Sequence, residues 1–363
     1  MKIVLIGRFG DGEILSGPER IARELFYELK NKNYQVTFIE YFFSDYKNSS
    51  LLTKLFGKKY FIENSILRLG VFPILVTIIK SRFDMIHIVN AQRFQLFLLL
   101  ISRLVPGKIV TTLHGSIQNE FKQMKKLPRR HYVDIWVEKL ITKKSSLLIF
   151  PSKLLFGILN EQYQFSRNKY QVIPNGISRR FEIRNSAPIK FENTLRIVFY
   201  NGPDSTFNRG LQKLIYLLEN VQVNIKLFVL GAEEFVTNNN RNVQISFSNL
   251  LGHDAMIQFL SDKQFVIKST QADTFPGFVA ECMCLGLIPI INKNIGMSEF
   301  IEDRENGFLY KINSTDDLSK LLEDIVIAKY DLNSISLNAK KIFEKLNWSV
   351  ISYKYIDAYK SVL

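Results

Sequence analysis

With 363 residues, 47% of them apolar and 23% charged, the chain holds enough material for two globular domains, each with its own core. Its two cysteines, Cys282 and Cys284, exclude a disulfide framework and a Cys/His zinc module. The net charge of +14 sits almost wholly in residues 1–180, where 29 Lys/Arg face 13 Asp/Glu, whereas residues 181–363 hold 19 against 21. Met1-Lys-Ile-Val-Leu-Ile-Gly runs straight into a strand and a glycine turn, with no signal-peptide pattern, and a reducing, cytoplasmic setting is expected. The most apolar runs, Phe72–Ile79 and Phe94–Ile101, are about eight residues each, against the roughly 20 of a membrane span.

Lys2–Ile6 reads as a strand and Gly7-Arg-Phe-Gly-Asp-Gly as a glycine-rich turn. Ser16-Gly-Pro-Glu-Arg then opens a helix through about Leu29, with Ser16 or Gly17 as cap and Glu19 in the first turn. Tyr34–Glu40 is the next strand. The opening lacks Gly-x-Gly-x-x-Gly, so it supports a dinucleotide site only weakly. Asp84-Met-Ile-His-Ile-Val is a parallel strand that puts His87 in a packed layer. Lys108-Ile-Val-Thr-Thr-Leu-His-Gly differs, because His114 follows the strand at its carboxyl end, where open parallel sheets bind ligands. His114 is either a site residue or a turn histidine.

Glu120–Lys144 reads as a basic, aromatic helix: Lys122, Lys125, Lys126, Arg129, Arg130, Lys139, Lys143 and Lys144 lie among Phe121, Tyr132 and Trp136. It is either a solvated face or a segment that lies on anionic lipid. Nucleic acid finds no helix-turn-helix, zinc or single-strand-binding signature here. Leu147–Pro151 and Tyr170–Ile177 are strands, and Ser178–Asn193 is the linker. Leu195–Tyr200, Ile225–Leu230 and Val243–Phe247 are strands of a second domain, followed by a short helix from Leu251. Gln264–Ile267 is a strand, and after Pro276 and Gly277 the apolar spacing becomes helical through Phe278, Glu281, Cys282 and Leu285. Gly286 stops that helix and Leu287–Ile291 is the next strand. Asp316–Ile327, Ile335–Lys345 and Trp348–Tyr359 close the chain as helices.

A helix N-terminus with free amides at Gly277, flanked by Asp273 and Glu281, can face a ligand that carries phosphates and hydroxyls. Asp273-x7-Glu281, with Phe-Pro-Gly-Phe inside and Cys-Leu-Gly-Leu-Ile-Pro after, resembles the Glu-x7-Glu motif of family 4 retaining glycosyltransferases. Tyr170-Gln-Val-Ile-Pro-Asn-Gly-Ile177 is similar to a signature of the same family, and Gly296-Met-Ser-Glu followed by Asn306-Gly-Phe resembles its ending of the second sheet. The resemblance implies an α/β fold of the GT-B type, two doubly wound Rossmann-like domains facing across a cleft. The domains expected are 1–180 on the acceptor side, 190–345 for a nucleotide-sugar, and a C-terminal helix, 346–363, that crosses back.

The reaction implied is transfer of a hexosyl unit from a nucleotide-sugar to a hydroxyl acceptor with retention. Cell-surface polysaccharide, glycolipid or glycan assembly is the expected setting. The family's second acid, here Glu281, holds ribose hydroxyls; its first, here Asp273, contacts the transferred sugar. The amides around Pro276, Gly277 and Phe278 meet the diphosphate. A glycine pair that admits the donor reads Ser16-Gly17 here, and His114 matches a histidine that reaches the donor sugar. Two cations grip the diphosphate in the family. Arg209 takes the place of one, whereas Pro203-Asp204, just after Gly202, stands where the other belongs. Lys268, beside the Asp273 loop, is the compensating candidate by proximity. Catalysis thus falls to Arg209, Asp273, Glu281 and His114, and donor binding to these with Ser16, Gly17, Gly202, Lys268, Pro276, Gly277 and Phe278. No Asp-x-Asp clamp is present, so neither metal nor cofactor is expected. The partners expected are the nucleotide-sugar, a lipid-linked or glycan acceptor, and an anionic membrane surface met through Lys122, Lys125, Lys126, Arg129 and Arg130. The other reading is a catalytically inactive relative that acts as a partner protein, because Asp273 replaces Glu and one arginine is missing.

Overall fold

The computed structural model describes residues 1–10, 15–41, 51–61, 65–89, 106–118, 131–182, 191, 193–202, 210–232, 240–270, 273–312 and 314–363. The run Phe94–Ile101, the basic residues Lys122–Arg130, most of the linker, Pro203-Asp204 and Arg209 lie outside them. The chain forms two compact units. Met1–Asp11, Leu15–Gly176 and Trp348–Leu363 make one, and Ile177–Asn347 the body of the other.

In the first unit the strands are β1 (Lys2–Gly7), β2 (Gln35–Tyr41), β3 (Lys58–Phe61), β4 (Ile66–Leu69), β5 (Met85–Ile88), β6 (Lys108–Thr112), β7 (Leu147–Phe150) and β8 (Tyr170–Val172). Their order is β3-β4-β2-β1-β5-β6-β7-β8, parallel except for β3, which runs antiparallel to β4. Val4, Leu5, Ile86 and Ile149 are fully buried, as a sheet covered on both faces requires. The second unit has β9 (Leu195–Tyr200), β10 (Ile225–Leu230), β11 (Val243–Ser248), β12 (Phe265–Lys268), β13 (Ile288–Asn292) and β14 (Phe308–Tyr310). Their order is β11-β10-β9-β12-β13-β14, all parallel.

Chain direction across the sheet reverses between β1 and β5 in one unit and between β9 and β12 in the other. Ligands of open α/β sheets bind outside the carboxyl ends of the strands at such a switch point. A ligand of either unit is therefore expected at the carboxyl ends of β1 and β5 or of β9 and β12.

The structure adds elements the sequence did not announce and corrects one that it did. β3 and β4 were not expected, and the apolar run at Phe72 belongs to a helix, Val71–Ser81, whose Ile74 and Ile78 enter the core. The single helix expected over Ile335–Lys345 is two, Leu332–Lys340 and Ile342–Leu346. Asp331 caps the first by accepting the Ser334 amide at 3.1 Å. Its last turn then tightens, with Lys341 N–H donating to Asn338 O at 3.2 Å, and the ladder breaks there. No helix among the described residues is long and apolar enough to cross a membrane.

The C-terminal helix Trp348–Lys360 is part of the first unit, where Trp348 is buried against Gly176. A Cβ on Gly176 would lie 2.4 Å from the indole ring, so only glycine lets the tryptophan in. Deeper in the same unit, His87 on β5 lies 2.6 Å from the Tyr359 hydroxyl through Nδ1 and 2.8 Å from Thr112 Oγ1 through Nε2. It is a core histidine. Burial, reinforced by nearby His114, lowers its pKa from 6.5 to about 3. Across that window the folded state binds fewer protons than the unfolded chain, so this contribution is intact above pH 6.5 and is lost as pH falls toward 3. Calorimetric Tm should fall over that window, and His87→Gln, which cannot titrate there, should flatten the fall. An unchanged slope would contradict a neutral, buried His87.

Candidate active site

At the switch point of the second unit, β9 ends at Tyr200 and continues as Asn201-Gly202. Gly202 has a φ of 84° and Gly231, just after β10, a φ of 77°; a Cβ on Gly231 would sit 2.7 Å from the Gly202 carbonyl oxygen. The two strand ends are in close backbone contact. Gly210 has a φ of 95°, and a Cβ there would lie 2.6 Å from the Ser269 carbonyl oxygen at the end of β12. The Ser269 hydroxyl donates to Gly210 O at 2.9 Å. The chain is thus pinned to the carboxyl end of β12 one residue after Arg209, which itself lies outside the described residues.

β12 leads through Ser269 and Thr270 to the acidic loop. Asp273 is fixed through its backbone, whose carbonyl accepts the Gly296 amide at 2.8 Å. Its side chain accepts the Phe275 amide at 3.3 Å and pairs with Lys268 Nζ at 3.2 Å. Lys268 is buried, with only 5% of its side chain exposed, while 22% of the Asp273 side chain is exposed. The candidate cation and the first acid are therefore directly joined. The helix Gly277–Cys284 follows, with Pro276 at its cap. Phe278 stacks on Tyr200 at 4.6 Å, which holds the helix start against the end of β9. Glu281, Cys282 and Cys284 are buried, and both cysteines are free thiols raised in pKa, first of all by burial. Buried neutral thiols are inert.

Asn201 and Thr270 belong to the same strand ends, although neither was among the site residues expected. Among the described residues, Asn201 Oδ1 and Thr270 Oγ1 are buried without a hydrogen-bond partner. Such groups cost about 1–3 kcal/mol each when left unmet, so strand ends that carry two of them favour a polar ligand. Their signal in the sequence is only that they follow β9 and β12. In the second unit, then, the structure gathers Gly202, Lys268, Asp273, Pro276, Gly277, Phe278 and Glu281 around the β9 and β12 ends.

In the first unit, Ser16 caps the helix Gly17–Asn31 and its amide donates to Glu19 at 2.8 Å. A Cβ on Gly17 would meet nothing within 4 Å, and its backbone does not require glycine. His114, part-buried after β6, places Nε2 2.8 Å from the carbonyl oxygen of Val89, which follows β5. Burial lowers its pKa to about 4, with the Val89 hydrogen bond opposing, so it is neutral at pH 7. A buried carboxylate holds this loop: Glu138, from helix His131–Lys144, accepts the Ile117 amide at 2.7 Å and the Tyr163 hydroxyl at 2.8 Å. Burial raises the Glu138 pKa.

Two family models match the chain. One described as Glycosyltransferase Family 4 covers residues 15–181, and one described as Glycosyl transferases group 1 covers residues 187–342. Between them they span both units, and the chain belongs to glycosyltransferase family 4. No curated protein matches it by sequence. Among solved structures, sucrose-phosphate synthase from Thermosynechococcus elongatus superposes with a TM-score of 0.78 at 14% identity, over 99% of this chain and 98% of that one. HepE of Anabaena, in complex with UDP-glucose, gives 0.72 at 16% identity over 99% and 100%. The lipopolysaccharide outer core galactosyltransferase WaaB gives 0.71 at 13% identity over 100% of both. At these identities the likeness shows the fold, which is GT-B.

The glycines at the two sites separate cleanly by stability. Gly210→Ala combines a left-handed backbone with a backbone clash and should cost about 1–3 kcal/mol or more. Gly17→Ala, in open space at a helix start, should stay within about 0.5 kcal/mol of the parent. Thermal melts of the two variants check this, and equal Tm values would refute the close approach at Gly210.

Proposed function

We propose that this glycosyltransferase moves a hexosyl unit from a nucleoside-diphosphate sugar to a hydroxyl acceptor with retention, in the assembly of a cell-surface polysaccharide, glycolipid or glycan. The observation that carries the reading is the convergence at the β9 and β12 ends. A helix N-terminus at Gly277, a buried lysine at 268, the Gly210 anchor and two acids all belong to the end of β12 or to the segments that follow β9 and β12. HepE, of the same fold, is a UDP-glucose complex.

In this reading Glu281 holds the ribose hydroxyls, and the Gly277 and Phe278 amides with the helix dipole face the diphosphate. Arg209 and Lys268 stabilise the charge that builds on the leaving group. The bond between the anomeric carbon and the phosphate oxygen breaks, and the nucleoside diphosphate departs with the bonding pair. The acceptor oxygen bonds to the same carbon from the same face and gives its proton to the departing phosphate. Lys268 already neutralises Asp273, so the cation is in place before a donor arrives. No metal enters this scheme. From the first unit, His114 and Ser16-Gly17 are assigned to the transferred sugar. The inactive-partner reading rests on Asp273 and the missing arginine, and measurable turnover removes it.

The membrane reading has support in the helix His131–Lys144, where Tyr132, Val133 and Trp136 are 75%, 49% and 53% exposed. An exposed aromatic face that follows Lys122, Lys125, Lys126, Arg129 and Arg130 suits an anionic bilayer and a lipid-linked or glycan acceptor on its cytoplasmic side.

Two measurements test this. Glu281→Gln should weaken UDP binding in calorimetry by about 1.5–3 kcal/mol, the scale of a hydrogen bond to a charged group; an unchanged affinity takes Glu281 out of the donor site. Replacing the five basic residues by Gln should remove about 1 kcal/mol of membrane attraction per residue. That variant is expected to stay folded, bind UDP and stop sedimenting with anionic vesicles. Parent protein that ignores such vesicles at low salt would point to a soluble acceptor.

A further inference from the structure

In dinucleotide-binding parallel sheets, the glycine loop after the first strand offers its amides to a phosphate, and an acid at the end of the second strand takes ribose hydroxyls. In this first unit those two parts meet each other. Glu40, near the end of β2, is buried, and its Oε1 accepts the Phe9 amide at 3.0 Å and the Gly10 amide at 3.3 Å. Its Oε2 takes the Nε–H of Arg68 at 2.5 Å, the residue opposite it in the β2–β4 register.

The rest of the loop is fixed as firmly. Arg23 donates to the Gly10 carbonyl and lies 5.0 Å from the Phe9 ring. Phe9 is buried edge-on against Phe26 and Phe38, at 5.9 and 5.0 Å. Gly10 has a φ of 68°.

We propose that Glu40 is an internal anion. Its carboxylate, paired with Arg68, fills the amide concavity of the Gly7–Gly10 loop in the place a phosphate would take. Two consequences follow. This unit does not take a phosphate at its glycine loop, because the anion would meet a buried carboxylate and find its amides engaged. The loop also has its working shape before any substrate arrives, so Glu40 is a positioning residue that touches no substrate. That second consequence rests on the proposed function, in which Ser16-Gly17 beyond the loop meets the reacting sugar; the first does not.

The experiment has two arms on the full chain. Without nucleotide, the Tm of Glu40→Ala is followed in sodium formate and in sodium chloride at matched ionic strength. Formate, a carboxylate that fits the vacated space, should raise this Tm above the chloride value by mass action and leave the parent unmoved. Equal responses of Glu40→Ala to the two salts would overturn the internal anion. Should Glu40→Ala fail to fold, Glu40→Gln keeps the shape without the charge. Its Phe9 and Gly10 amides should then exchange roughly tenfold faster, since a charge-assisted hydrogen bond is about twice as strong as a neutral one; unchanged exchange overturns the proposal equally.

The second arm measures UDP-glucose hydrolysis and UDP affinity in Glu40→Ala, which removes the loop's anchor. A loop misplaced by about 1 Å costs on the order of 100-fold in turnover, while UDP, held by the other unit, should bind as in the parent. Unchanged turnover, or turnover and UDP affinity lost together, contradicts a positioning role. Absence of hydrolysis in the parent counts against the proposed function alone, and the formate arm then decides the internal anion by itself.

Discussion

A parallel sheet leaves the loops at its carboxyl edge with backbone amides and carbonyls that no neighbouring strand can meet, and something must meet them. The two units answer this demand in opposite ways. In the first, the chain supplies its own anions: Glu40 takes the Phe9 and Gly10 amides, and Glu138 takes that of Ile117. In the second, the strand ends are pressed together through Gly202, Gly210 and Gly231, and Asn201 and Thr270 keep buried polar atoms with no partner among the described residues. The proposal that the donor is held by the second unit rests on that close-packed edge and on the Lys268–Asp273 pair beside it.

Charge divides along the same line. The surplus of basic residues belongs to the first half, whereas the second is nearly balanced. In the second unit Lys268 is not a surface charge: it is buried and paired with Asp273. A buried pair of this kind is costly to break by removing one member. Asp273 thus has a structural reason to remain acidic even though it is one methylene shorter than the family's glutamate.

Much of this was legible in the sequence because the relevant signals are local. The strand at Ile225–Leu230, the helix that opens at Gly277 and its stop at Gly286 follow from runs, spacing and single glycines. His87 read as core because its neighbours are all apolar. What was not legible depends on partners distant in sequence. Lys58–Phe61 and Ile66–Leu69 are short and mix Lys and Arg with apolar residues, so only pairing at the sheet edge makes them strands. Glu40 and Glu138 are unremarked acids until the fold brings amides to them, 31 and 21 residues away. The pairing of Lys268 with Asp273 likewise depends on how the loop between them turns. Local chemistry wrote the elements; the ligand-facing edge was written by long-range contacts.

The central claim is that the β9 and β12 edge of the second unit holds a nucleoside diphosphate while the glycine loop of the first holds none. Heteronuclear NMR of the full chain titrated with UDP tests it most directly. The account predicts saturable shifts at the amides of Gly202, Gly210, Thr270, Gly277 and Phe278, with the Phe9 and Gly10 amides unmoved. Shifts led by Phe9 and Gly10, or none at the Gly277 helix start, would contradict it.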